Sequence, residues 1–325
     1  MSTPSIRLEI SKIYSSPLIE SASLGAKDNL YGFEGGTVIQ HEREYHLFTA
    51  ERFGDPELVK MRLAQWRSRD GLSWVRISTL FESSAEFTGK DPRASLWSPM
   101  PFFNDDENRW NLFYVAYRSK PNDPTGWYLN HGGRIYRAVS QVPGKGGLGG
   151  PYQDIDVILE PGVHSDHWEG LQGVDSFYLY RAQGAWFGFY GSAKTEQTPM
   201  TGWAVGLATA PYMAGPWKRC SERNPIKMDE SFAENPIVSQ LADGTYIAML
   251  DGQNRIGYST SPDGLAWSQA TFLKMPPSAV WWDVLRTPLC LLPLSDDGRF
   301  AIFFTAITSR RFGGLGRVDV VLEYT

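Results

Sequence analysis

Apolar and polar residues alternate in short runs along most of this chain, and the runs are separated by Gly, Pro, Asn and Asp. A period of two with breaks of that kind is the pattern of half-buried β-strands joined by tight turns. Two stretches carry it in the same order. YGFEGGTVIQHEREYHLFTAE at 31–51 and ENPIVSQLADGTYIAML at 234–250 each place an acid, a small-residue or proline break, a strand, a turn and a returning strand.

Extended along the chain, the plan predicts five units. The first has strands at Thr37–Gln40 and Tyr45–Thr49, a third in MRLAQWRS, and a fourth at Trp74–Ile77 after a turn at Asp70-Gly71. The second runs from WSPMPFF at 97 to GRIYRAVS at 133 and the Gly-rich turn before Pro151. The third spans VDSFYLY at 174 to the strand beginning at Trp203. The fourth closes on SPDGLAWS, whose Asp263-Gly264 and Trp267 echo Asp70-Gly71 and Trp74. The fifth, RTPLCLLPL at 286, RFAIFFTAI at 299 and GRVDVVLEY at 316, has only three strands.

Four antiparallel strands make a propeller blade. The expected fold is therefore all-β, a five-bladed β-propeller formed by residues 1–325 as one domain. The unpartnered run IRLEISKIY near the N-terminus is expected to pair into the fifth blade and close the ring, since closure removes a sticky strand edge. Two β-sandwiches meeting near residue 150 would suit the turn spacing too, but would not explain the matching openings of the units.

Composition narrows the function. With 31 basic and 36 acidic residues and no block of like charge, the chain has no electrostatic footprint for nucleic acid. Its longest apolar runs fall short of the roughly 20 residues that span a bilayer, so no membrane helix is expected. The N-terminus does not read as a secretory signal, which points to the cytoplasm, or to the periplasm or exterior if a leader has been removed. Cys220 and Cys290 are expected to be packed thiols. Aromatic residues make up 14% of the chain, including 12 Trp. They supply flat faces that stack on sugar rings as readily as they fill a core. No P-loop, dinucleotide fingerprint, G-x-S-x-G elbow or H-E-x-x-H motif occurs.

In a propeller the first residues of each innermost strand ring the central funnel. Aligned on this basis, the five units place Glu34, Trp97, Asp175, Glu234 and Arg286 at one level. Acids gathered in a partly dry funnel acquire different protonation states, as cleavage of a glycosidic bond requires: one carboxylic acid to protonate the leaving oxygen, one carboxylate to activate water or attack carbon. Loops expected beside the funnel carry Glu51, Arg52, Arg118, Lys194, Arg310, Arg311, Trp127 and Tyr128. HSDHWEG at 164–170 adds His167 and Glu169 as substrate-facing candidates, and Glu169, just ahead of the third inner strand, is also a rival to Asp175 for the acid role. Spacing of His164 and His167 outside a helix gives little support for a metal, and no metal centre or cofactor is assigned; a structural cation in the central channel stays open.

These features resemble the five-bladed β-propeller glycoside hydrolases of families 43, 32, 68, 62 and 117, through the blade pattern and the motifs DGTYIAML and SPDGLAWS. The resemblance implies an acid in blade one as base or nucleophile, an acid that tunes it, and a Glu from a later blade as proton donor. Carried onto this sequence, Glu34 takes the first role and Glu234 the last, with Asp175 tuning, Arg286 holding a substrate oxygen and Trp97 stacking. The usual blade-two acid is replaced: Trp97-Ser98-Pro99 is followed by Met100. The implied activity is removal of a non-reducing-end sugar from an oligo- or polysaccharide. A non-catalytic sugar-binding propeller and a glycoside phosphorylase or transglycosylase stay open as alternatives, as does oligomeric state.

Overall fold

The structure is a computed structural model that describes residues 6–121, 129–197, 201–275, 280–295 and 297–324. Its strands follow the five-unit plan. After β1 (Ile6–Ile13), blade one holds β2 (Gly32–His41), β3 (Glu44–Arg52), β4 (Met61–Ser68) and β5 (Val75–Glu82). Blade two holds β6 (Ser95–Asn104), β7 (Arg109–Ser119), β8 (Asn130–Ser140) and β9 (Tyr152–Leu159), with a short 3-10 turn at Lys145–Gly149. Blade three holds β10 (Asp175–Ala182), β11 (Ala185–Lys194), β12 (Thr201–Ala210) and β13 (Lys218–Arg219), and blade four β14 (Glu234–Gln240), β15 (Tyr246–Asp251), β16 (Ile256–Ser261) and β17 (Thr271–Phe272). Blade five holds β18 (Val284–Pro288), β19 (Leu292–Pro293), β20 (Arg299–Ile307) and β21 (Gly313–Tyr324).

The ring closes as the alternation of IRLEISKIY predicts. β1 pairs antiparallel with β21 from Ile6 opposite Tyr324 to Ile13 opposite Val318, so the N-terminal segment is the outermost strand of the last blade. Blades five and one also touch at their inner ends, where Gly32 meets Gly313 in a parallel bridge. A Cβ on Gly32 would stand 2.1 Å from the Gly313 carbonyl oxygen, so only glycine permits this approach. The innermost strand of blade five is interrupted between β18 and β19. There the Leu289 carbonyl turns to blade one and accepts from the Val38 N–H at 2.9 Å and the Thr37 hydroxyl at 2.9 Å.

Burial follows the same plan. Each pair of neighbouring blades shares one cluster of buried apolar side chains, five in all, from Phe48 and Leu63 against Leu112 and Tyr114 to Leu47 and Trp66 against Leu289 and Phe303. The cluster of Met100, Phe113 and Val115 with Val174, Phe177 and Tyr190 runs straight across residue 150, where two separate sandwiches would part. The echoed turns fold alike: Asp70 and Asp263 each accept from the two N–H groups that follow their glycine, at 2.7–2.8 Å, and from Ser68 and Ser261, both at 2.9 Å.

Leu8 is the buried anchor of β1, packed among Ile247, Tyr258 and Val318. Leu8→Ala is expected to lower the free energy of unfolding by about 2–4 kcal/mol, the usual cost of a core leucine truncation. Urea denaturation checks it, and an unchanged midpoint would mean the ring does not depend on this closure.

Candidate active site

The side chains that open the innermost strands converge. Glu34, Trp97, Asp175, Glu234 and Arg286 all line one cavity of about 330 Å³ at the centre of the disc, with Arg52, Glu57, Tyr117, Gln172 and Asn235 among the other walls. A repeated backbone device aims them. In every blade the innermost strand carries a β-bulge at this level, between Glu34 and Thr37, Trp97 and Met100, Asp175 and Phe177, Glu234 and Ile237, and Leu285 and Pro288. Bulges at a sheet rim re-aim side chains. In four blades the residue after the leading side chain is left-handed: Gly35 (φ 67°), Ser98 (φ 50°), Ser176 (φ 33°) and Asn235 (φ 50°). Non-glycine residues tolerate this only where their surroundings enforce it.

Blade five departs from the register expected for it. The residue at the level of Glu34 is Leu285, and Arg286 sits one place later, inside the bulge. That offset brings the guanidinium over the funnel among the acids rather than level with them. Its Nε donates to Glu34 Oε1 at 2.7 Å, and its Nη2 lies 2.6 Å from the same oxygen. Glu234 Oε2 is 3.7 Å from Nη2, and Asp251 Oδ2 is 3.7 Å from Nη1. Arg52 adds a second cation 3.7 Å from Glu34 Oε2 and also pairs with Glu57 at 3.3 Å.

These contacts separate the acids electrostatically. Burial alone would push the Glu34 carboxyl up, but Arg286 and Arg52 outweigh it and hold the group below its ordinary value. Glu234 goes the other way: burial, reinforced by the charges of Asp175, Asp251 and Glu34, raises it well above the ordinary glutamate value against the pull of Arg286. Burial also raises Asp175, opposed by the Tyr117 hydroxyl, which donates at 2.5 Å, and by the Ser176 N–H at 2.7 Å. Gln172 holds that tyrosine from behind at 3.0 Å.

Several expected residues lie elsewhere. Glu51 does not face the funnel; it is fully buried in blade one, accepting from Trp66 Nε1 at 2.8 Å and Arg76 Nε at 3.0 Å and paired with Arg62. Glu169 is taken up by a two-pronged pair with Arg219, at 2.6 and 2.8 Å, and accepts from the Tyr190 hydroxyl at 3.0 Å. His167 is exposed, and Arg118, opposite His131 in blade two, is outside the cavity lining. Lys194, Arg310 and Arg311 do not line it either; Arg311 reaches Glu57 from outside at 3.1 Å. Trp127 and Tyr128 are outside the described residues.

One carboxylate escaped the sequence reading. Asp251 closes β15 directly opposite Glu234 and is completely buried, with the Arg286 guanidinium 3.7 Å away and the Gln253 N–H beside it. Counting back across the turn from the Gln240–Tyr246 pair sets Gly252 opposite Glu234; the bulge between Glu234 and Ile237 brings Asp251 there instead, so the spacing alone points one residue too far. Tyr117, Gln172 and Glu57 were missed as well, because no regularity of the repeat marks them.

No protein-family model matches the sequence, and no curated protein matches it. Solved structures do resemble the fold. A family 117 glycoside hydrolase, Zg3597 from the marine bacterium Zobellia galactanivorans, superposes with a TM-score of 0.63 at 13% identity, over 98% of this chain and 90% of that one. The chain has the fold of the five-bladed β-propeller glycoside hydrolases. The GH43_1 enzyme from Xanthomonas citri complexed with xylotriose gives a TM-score of 0.60 at 13% identity, over 94% of the propeller and 89% of that chain. An α-L-arabinanase from Cellvibrio cellulosa gives 0.57 at 12%, over 88% and 90%.

Asp251 yields a stability prediction with a definite sign. Burial, opposed by Arg286 and reinforced by Glu34, raises its carboxyl to about 6. Between the ordinary aspartate value of roughly 4 and pH 6 the folded protein keeps a proton that the unfolded chain has released, so stability falls as pH rises through that window. Asp251→Asn removes this loss. The variant is expected to be more stable than the parent by about 1–3 kcal/mol at pH 7.5, with the two converging near pH 4; urea titrations at both pH values check it. For Glu51→Ala the expectation is a loss of about 3–5 kcal/mol in the free energy of unfolding at pH 7.5, since it strands two arginines and an indole N–H.

Proposed function

We propose that the protein is a glycoside hydrolase that removes the non-reducing-end sugar of an oligo- or polysaccharide by acid/base catalysis in the central funnel. Glu34 is the base or nucleophile, Glu234 the proton donor and Asp175 the residue that tunes them. Arg286 and Trp97 contact the sugar, the indole offering its face while its Nε1–H is held by Ser95 at 2.7 Å. The observation that carries this reading is the unequal sharing of Arg286, at 2.6–2.7 Å from Glu34 and 3.7 Å from Glu234. Two carboxyl groups whose surroundings drive their protonation apart are the chemical requirement for glycosidic cleavage. The glycoside hydrolase fold of the structural neighbours agrees with it.

The small cavity, at the low end of the range of about 300–1,000 Å³ typical of small-molecule sites, favours one end of a chain over its middle. Both lining arginines already hold carboxylates, so among the described lining residues no free cation is left for a phosphate, a sulfate or a uronate. That disfavours the phosphorylase reading and points to an uncharged, hydroxyl-rich sugar.

Turnover of a panel of neutral aryl furanosides and pyranosides tests the proposal. Glu34→Gln and Glu234→Gln are each expected to lose about 10²–10⁴-fold in kcat, in keeping with general acid/base catalysis, while sugar affinity stays within a few-fold. A dinitrophenyl leaving group, which needs no proton, should restore Glu234→Gln but not Glu34→Gln. An inactive parent whose sugar affinity is unchanged in both variants would instead support a non-catalytic binding propeller.

A further inference from the structure

At the bulge level, the residue facing the leading side chain from the second strand of each blade is Ala50 opposite Glu34, Val115 opposite Trp97, Gly191 opposite Asp175 and Ala306 opposite Leu285. Four blades meet the packing need there with a small or apolar residue. In blade four alone the position holds an acid, Asp251, opposite Glu234. The propeller therefore does not require a carboxylate at this place, and burying one beside other carboxylates is costly. A group kept at such a cost acts on its neighbours.

Its neighbours are the charged groups of the site. Glu234 faces Asp251 from β14, Arg286 approaches from β18 with Nη1 at 3.7 Å, and Glu34 lies beyond Arg286 on β2; Asp175 on β10 also acts on Glu234, and the Gln253 N–H is beside Asp251 on its own chain segment. A guanidinium is a rigid planar fork, so fixing one arm fixes the direction of the other two. We propose, on the basis of the acid/base roles assigned above, that Asp251 is a positioning residue: its carboxylate draws the Nη1 arm of Arg286 and so lays the Nε–Nη2 edge along Glu34 rather than Glu234. Without it the fork is free to turn, and Glu234 gains the share of positive charge that Glu34 loses. The proton donor then ionises at a lower pH.

Carbon-13 NMR of protein labelled at the glutamate side-chain carboxyl reads this directly and without any substrate. The Glu234 resonance is assigned by its loss in Glu234→Gln. In Asp251→Asn its titration midpoint is expected to fall by about one pH unit, and Asp251→Ala, which copies the residue of blades one and five, should give the same shift. Made in an Arg286→Gln background, the same substitution should move the midpoint by less than half as much. An unchanged midpoint overturns the proposal, and so does a shift that persists in full without Arg286, because that would be simple charge repulsion. If the parent turns over aryl glycosides, the basic limb of its kcat/KM profile should move down in step in Asp251→Asn. A parent with no turnover defeats the hydrolase reading while leaving the NMR comparison to decide the role of Asp251.

Discussion

Everything at the centre of this propeller depends on how one guanidinium is divided. Arg286 is largely buried with Glu34, Glu234 and Asp251 around it, and it cannot satisfy all three equally. A buried carboxyl group close to a cation stays ionised, and one further away in the same low-dielectric space takes up a proton. The 1 Å difference in approach, together with burial and the carboxylates of Asp175, Asp251 and Glu34 around Glu234, pushes Glu34 and Glu234 in opposite directions from the ordinary glutamate value. In water the same difference would be screened almost to nothing; in the funnel it is amplified.

The backbone sets up that geometry before any side chain contributes. Each blade spends a bulge where its innermost strand opens, and three non-glycine residues, Ser98, Ser176 and Asn235, accept left-handed conformations to complete the turn. Such conformations cost of order 1 kcal/mol or more apiece and persist only when surrounding packing fixes them. Here five apolar interfaces between blades and the strand exchanged between the chain ends supply the rigidity. Alternation thus makes blades, the blades a rigid ring, the ring a strained rim, and the rim a set of acids in unequal environments.

Much of this was legible in the sequence because it is periodic. The five units, the pairing of IRLEISKIY with the last blade and the convergence of the leading side chains all follow from counting. What failed was local. Glu51 reads as part of a loop bordering the funnel, yet the bulge after Glu34 makes Ala50 the residue opposite Glu34 and turns Glu51 to the other face beside Phe33 and Trp66. Asp251 is hidden by the same device: an unbulged count sets Gly252 opposite Glu234, and the bulge brings Asp251 there instead. Arg286 was placed one residue out of register because a bulge shifts the count without leaving a mark in composition. Glu169 looked like a free acid in a loop; its partner Arg219 lies 50 residues away, and only the folded chain joins them.

A neutron crystal structure at pH 7 tests the central claim most directly, since it locates the hydrogen on each carboxyl group. The expected map has a deuteron on Glu234 and none on Glu34, with Arg286 fully protonated between them. Two bare carboxylates, or a deuteron on Glu34 instead, would contradict the account.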